Sequence, residues 1–207
     1  MTGPVSHAPV ELDWLTLMNR PSVYIEVTRL AACFNGGVRN ELCERLRAAD
    51  RLESRLSAMI AEFYRLAAPV SPDAASPADQ KVALVTLGKT GELMRRAGAV
   101  YWANAIANAV RAEEVRWWRA RLGESLYALA LANRQLSGAS GKIDLTDEMD
   151  VQITQDGVRC LGAWCQSQPG AIAERVRLKS PASAALEDSA DGPFKEIGPA
   201  IIRCAVV

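Results

Sequence analysis

Few residues in this sequence have both the type and the spacing to do chemistry. Gly88-Lys89-Thr90-Gly91 has the composition of a phosphate loop, in which backbone N–H groups and a lysine hold a nucleotide. The first glycine of that motif would fall at position 83, which is Ala83, and no apolar strand leads into it. Nucleotide binding is therefore not expected. Asp147, Glu148 and Asp150 gather carboxylates that could hold a hard cation or serve a small enzyme. They lack the spacing and the turn glycine of a calcium loop, so a solvated acidic connector is expected. The five cysteines, Cys33, Cys43, Cys160, Cys165 and Cys204, are odd in number, widely spaced and free of C-x-x-C. That argues for a reducing compartment and for small buried apolar side chains rather than a disulfide framework. The one histidine, His7, supplies neither a zinc cluster nor the base for a nucleophile. No G-x-G-x-x-G, H-E-x-x-H or G-x-S-x-G occurs. The expectation is a protein that is not an enzyme, with no catalytic residue, no cofactor and no metal.

The remaining chemically distinctive feature is a concentration of Arg95, Arg96, Arg111, Arg116, Arg119 and Arg121 near Trp102, Trp117 and Trp118. Interleaved basic and aromatic residues can bind nucleic acid. They also anchor protein interfaces. Glu113 and Glu114 dilute the charge, and Lys plus Arg equals Asp plus Glu across the chain, 24 against 24. Zero net charge gives no long-range attraction to nucleic acid or to an anionic membrane. The plain reading of these residues is a solvated helix face; as a function, a protein-binding face through Arg95, Arg96, Trp117 and Arg121 comes ahead of the others. A helical nucleic-acid-binding regulator using the same central helix is the alternative, and an enzyme built on Asp147, Glu148 and Asp150 a third.

The elements that must position these residues read as helices. Apolar residues make up 49% of the 207, enough to bury one core. No run of about 18 apolar residues is present to cross a bilayer, and the start has no basic segment followed by an apolar one. Val10–Asn19 reads as a first helix and Pro21–Phe34 as a second, stopped at Asn35-Gly36-Gly37. Leu42, Leu46, Ala49, Leu52, Leu56, Met59, Phe63 and Leu66 step by threes and fours. That spacing predicts one helix of about 26 residues, roughly 40 Å long. The proline-rich stretch 68–78 is a loop that could divide two helical subgroups, and Ser76-Pro77 has the form of an N-cap followed by an N1 proline. A helix from there is expected to break near Gly98. Arg111–Arg134 predicts a second long amphipathic helix, with Trp118 and Leu122 on its buried face and Trp117 and Arg121 on another. Gln155–Gln166 and Ala171–Leu178 fit shorter helices, the latter basic. The segment 180–193 is expected to be mobile, and the apolar stretch 194–207 to dock back on the body. No run alternates with period two. The fold expected is all-α, an irregular multi-helix globular domain spanning 1–207 with a mobile segment near the C-terminus.

Two blocks resemble a known family. LVTLGKTGELMRRAGAVYWANAIANAV followed by RWWRARLGESLYALAL is similar to the central block of the type III secretion K protein (SctK/YscK-like). That block has an apolar helix with small residues, an arginine pair, here Arg95-Arg96, and a helix containing Leu122-Gly123-Glu124. DGVRCLGAWCQSQPGAIAERVRLKSP resembles the family's C-terminal block through Trp164, Gln168-Pro169, Arg175–Lys179 and Pro181. The length and the Trp-rich middle suggest the Hrp-type branch of plant-associated bacteria. The resemblance implies a cytoplasmic adaptor of the sorting platform, held at the inner membrane through the secretion apparatus. Its partners would be the cytoplasmic domain of the inner-membrane ring protein and the pod protein, with no nucleic acid and no direct membrane insertion.

Overall fold

The computed structural model of the chain describes residues 12–139, 146 and 148–206. His7, the helix start at Val10, the carboxylate Asp147 and part of the connector 144–150 lie outside the described residues. Among those described, every regular element is helical and no strand occurs.

Five helices form the N-terminal group: α1 (Trp14–Asn19), α2 (Pro21–Tyr24), α3 (Val27–Ala32), α4 (Asn40–Arg47) and α5 (Glu53–Phe63). After the proline-rich loop come α6 (Pro77–Ala83), α7 (Leu87–Tyr101), α8 (Ala103–Ala107), α9 (Ala112–Leu122) and α10 (Glu124–Ala132). The C-terminal part holds α11 (Glu148–Gln166), α12 (Gly170–Arg177), α13 (Ala184–Glu187) and α14 (Gly192–Ala205). No helix is long and apolar enough to cross a membrane among the described residues.

The centre of the fold is the crossing of α7 and α11. It is close because Gly98 faces the Ile153 carbonyl and Gly157 faces the Met94 carbonyl, with no room for a side chain at either. The helix expected to run from Pro77 to a break near Gly98 instead divides between Ala83 and Leu87, and its second part, α7, passes through Gly98 and runs on to Tyr101. The glycine's cost to the helix is offset by the approach it permits. α14 lies across both helices. Gly198 lets it near the Ala163 Cβ and the Cys160 backbone, and Ile201 and Ile202 are fully buried.

Three further long expectations divide in the structure. The stripe from Leu42 to Leu66 is two helices, joined at Ala49 (ψ 97°) by a 3-10 turn over Asp50–Leu52. α4 packs on α3 and α5 packs on α2, so each half follows its own neighbour. The face that α5 buries is Leu56, Ser57 and Ile60, while Leu42 and Phe63 of the stripe stay exposed. Pro21–Phe34 parts at Ile25, because the Glu26 carboxylate accepts from the N–H groups of Thr28 and Arg29 and starts α3 afresh. Arg111–Arg134 bends at Gly123, whose φ of 77° is a glycine conformation.

The segment expected to be mobile, 180–193, contains α13. Leu186 in it is fully buried, and Gly162 of α11 admits the backbone of Ala185 and Leu186. The buried arginine Arg29 holds it further, through the Ser180 carbonyl (2.5 Å) and the Glu187 carboxylate. The low apolar content of this stretch hid one well-placed leucine. One core cluster contains residues from both sides of the proline-rich loop, including Leu17, Ile60, Val100, Trp164 and Ile202. A second, smaller cluster forms where Trp118, Leu122, Leu126 and Tyr127 meet Ala99, Ile106 and Ile153.

Candidate partner-binding surface

Trp118 is 1% exposed and Leu122 5% exposed, so the buried face of α9 is the one that the spacing predicts. Trp117, one step round the helix, is half-buried and meets Trp118 edge-on at 4.9 Å between ring centroids. The Arg121 guanidinium lies over the Trp117 ring, 5.6 Å from its centroid, one helical turn on.

Asp150 ties this face to its neighbours. Its two carboxylate oxygens stand 3.4 Å from Arg95 Nη2 and 3.5 Å from Arg121 Nη1. Arg95 Nη2 also donates to the backbone carbonyl of Arg121. The structure therefore brings Arg95, Trp117 and Arg121 together, from α7 and α9, around a carboxylate of α11. All three charged side chains in this bridge are a third or more exposed, so it sets geometry more than stability. Val151, the next residue after Asp150, is 57% exposed.

Arg96 does not join them. Its Nε donates to the Ala205 carbonyl at the end of α14, 2.7 Å away. Arg119 leans over Tyr127 at 5.3 Å and lies 3.7 Å from Glu124. Gly88-Lys89-Thr90-Gly91 is the first turns of α7, following Thr86 as N-cap, and the Thr90 hydroxyl donates back to the Thr86 carbonyl. That backbone is helical, not a loop that could wrap phosphates. Glu148 is exposed on the first turn of α11, and Asp150 is engaged by two arginines. Among the described residues no group of three or more His, Cys, Asp or Glu could hold a metal ion.

Sequence reasoning missed the most buried polar groups. Asp79 accepts from Trp164 Nε1 at 2.8 Å, from the Ser76 hydroxyl at 2.6 Å and from Arg203 Nε at 2.7 Å, joining α6, α11 and α14. These three bonds outweigh the cost of burial and hold its carboxyl below the usual carboxylate range. Asp156 accepts from Trp102 Nε1 and Gln152, with Arg159 at 3.1 Å. Lys179 is 2% exposed and donates to the carbonyls of Ala83 and Val85, with its ammonium 5.6 Å from the Tyr24 ring centroid. Burial pulls its pKa down to about 7. Burial pushes the Cys160 thiol up, and the Cys165 thiol to about 12, so both are inert protonated thiols at neutral pH.

Comparison with known proteins gives a distant likeness. The chain is 28% identical over 94 residues to nodulation protein NolU of Rhizobium fredii, and equally to NolU of Sinorhizobium fredii strain NBRC 101917 / NGR234. The match covers 45% of this chain and spans 44% of the length of those relatives. No protein-family model matches the chain. No solved structure matches it.

Proposed function

We propose that this chain is a non-enzymatic cytoplasmic adaptor of a bacterial type III secretion apparatus. In this reading it links the cytoplasmic domain of the inner-membrane ring protein to the pod protein of the sorting platform. The observation that carries the reading is where the two blocks resembling the K protein fall. One supplies α7 to α10 and the other supplies α12 and most of α11, so together they form the central crossing. Several of their distinctive residues serve architecture. Arg95 and Arg96 bond helix-end carbonyls, Gly123 makes the bend, and Trp164 is sealed against Asp79. A family whose shared motifs are structural suits a part in an assembly better than a catalyst. The likeness to nodulation proteins of rhizobia supports a plant-associated setting.

The face around Trp117 and Arg121 is the proposed contact for the pod protein. Arg95 and Arg96 spend their guanidinium groups on internal bonds, which favours a protein partner over a phosphate backbone. Replacing Trp117 and Arg121 together by Ala tests this. The variant should stay folded and lose about 1 kcal/mol of stability, because both side chains are only partly buried. Its affinity for the pod protein should fall by roughly 2 kcal/mol or more, the scale of an interface anchor. Unchanged titration of the pod protein by a folded double variant would remove this face. Salt-dependent binding of duplex DNA, with neither apparatus protein bound, would replace the adaptor reading by the nucleic-acid one.

A further inference from the structure

Arg121, in the last turn of α9, is held at both of its ends. Its backbone carbonyl accepts from Arg95 Nη2, which reaches it from α7. Its guanidinium Nη1 stands 3.5 Å from Asp150 Oδ2, which reaches it from α11. Arg95 Nη2 in turn stands 3.4 Å from Asp150 Oδ1, so side chains of three helices close on one another. This hold sits at the end of a helix, one residue before Leu122 and the bend at Gly123. Helix ends fray unless something ties them down.

The two residues that tie Arg121 stand on the stiffest part of the fold. Arg95 lies three residues before Gly98 on α7, and Asp150 three residues before Ile153 on α11. Gly98 and Ile153 are where those helices meet backbone to backbone, with no room for a side chain between them. Residues three apart share a helix face. Arg95 and Asp150 therefore carry the fixed spacing of the central crossing out to the surface.

That matters because the Arg121 guanidinium covers the Trp117 ring, 5.6 Å from its centroid. An exposed cation–π pair is by itself worth little more than thermal energy, so it would order a long side chain for only part of the time. An arginine has more rotamer freedom to lose than almost any other residue. The Asp150 carboxylate adds a second hold, directed from a fixed helix.

We propose that Asp150 is the positioning residue of the partner-binding face: it keeps the Arg121 guanidinium over Trp117, so that the pair meets the partner protein as a preformed anchor. Binding loses affinity for each long side chain that it must immobilise, and an anchor ordered in advance avoids that loss. Asp150 acts here through Arg121. The inference deepens the proposed function and rests on its reading of the α9 face. Asp150 also lies in the first turn of α11, where the helix dipole favours a carboxylate. That plainer role would alter stability alone and leave Arg121 where it is.

Asp150→Asn in the full chain separates the two, because it removes the charge and keeps the size. The readouts are the urea midpoint, the Arg121 Nε–H resonance of 15N-labelled protein and a titration with the pod protein. In the wild type the ring current of the indole should displace the Arg121 Nε–H resonance from its position in Trp117→Ala. Asp150→Asn should return it most of the way to that position. Affinity for the pod protein should fall by about threefold to tenfold, the range for setting one long side chain free. The urea midpoint should hardly move, since the bridge is exposed. In an Arg121→Ala background the same substitution should leave the affinity unchanged. An Arg121 resonance that Asp150→Asn does not move, a wild-type affinity, or an equal loss in the Arg121→Ala background would each overturn the proposal. Failure of the partner reading shows separately, as a wild-type chain that does not titrate the pod protein, and overturns the proposal with it.

Discussion

Replacing Gly98 by Ala should be among the most damaging single changes in the chain, although it adds one methyl group and improves helix propensity. A Cβ at Gly98 would lie 1.8 Å from the Ile153 carbonyl oxygen and 2.6 Å from its carbon. Both are backbone atoms, so no rotamer change relieves the contact. Restoring a normal separation of about 3.5 Å requires α7 and α11 to part by roughly 1.5 Å at this point. That movement would open voids beside Ala97, Val100 and Leu161, all fully buried. Overpacking alone costs about 1–3 kcal/mol, and lost packing along the crossing adds to it, so the expected cost is about 3–5 kcal/mol. Gly91→Ala is the internal control, since a Cβ there meets nothing within 4 Å on the same helix. It should stabilise by about 0.5–1 kcal/mol through helix propensity. Urea unfolding followed by circular dichroism measures both. A Gly98→Ala protein as stable as Gly91→Ala would refute the close crossing, and with it the placement of the two helices at the centre of the fold.

Trp118→Ala should cost about 3–5 kcal/mol in the same assay, because the indole is fully enclosed in the smaller core cluster. Arg65→Gly should stabilise by about 0.5–1 kcal/mol, read as a raised urea midpoint, because Arg65 ends α5 at φ 50°, where a side chain is strained. Lys179 has a folded pKa of about 7 against an ordinary 10.5, so the unfolded chain binds the extra proton between those values. Wild-type stability should therefore rise relative to Lys179→Met from pH 7 to pH 9, by on the order of 2 kcal/mol. A flat difference would show that the Ala83 and Val85 carbonyls and the Tyr24 ring keep the ammonium charged.

The helical class and the buried face of α9 were legible because both follow from spacing. Trp118, Leu122 and Leu126 recur at helical intervals and all are buried. Lengths were less legible, because an apolar stripe records which residues avoid water but not whether one straight axis carries them. Ala49 and Ile25 themselves are ordinary helix-compatible residues. The break at Ala49 goes with the different partners of its two halves, α4 on α3 and α5 on α2, and the break at Ile25 with the new cap that Glu26 forms. Glycine misled in both directions. Gly98 reads as a weak point and is one of the two glycines that let α7 and α11 cross closely, whereas Gly123 reads as part of a helix and bends it. Propensity describes the isolated chain, and each glycine's role was set by what lies against it.

The arginines show why the candidate surface was only half legible. Adjacent residues on a helix point about 100° apart, and here the two arginines of the Arg95-Arg96 pair part company. Arg95 reaches the Arg121 carbonyl in the last turn of α9, and Arg96 reaches the Ala205 carbonyl at the end of α14. Both targets are unsatisfied carbonyls at the negative end of a helix dipole, the place where a guanidinium is stabilised without needing a carboxylate. The pair thus clamps two helix ends from a third helix, and Asp150 then collects Arg95 together with Arg121. A run of basic residues in the sequence signals only that positive charge is present. Where each charge goes depends on which helix ends the fold brings within reach, and one of the four residues named for the surface, Arg96, is drawn away from the other three for that reason.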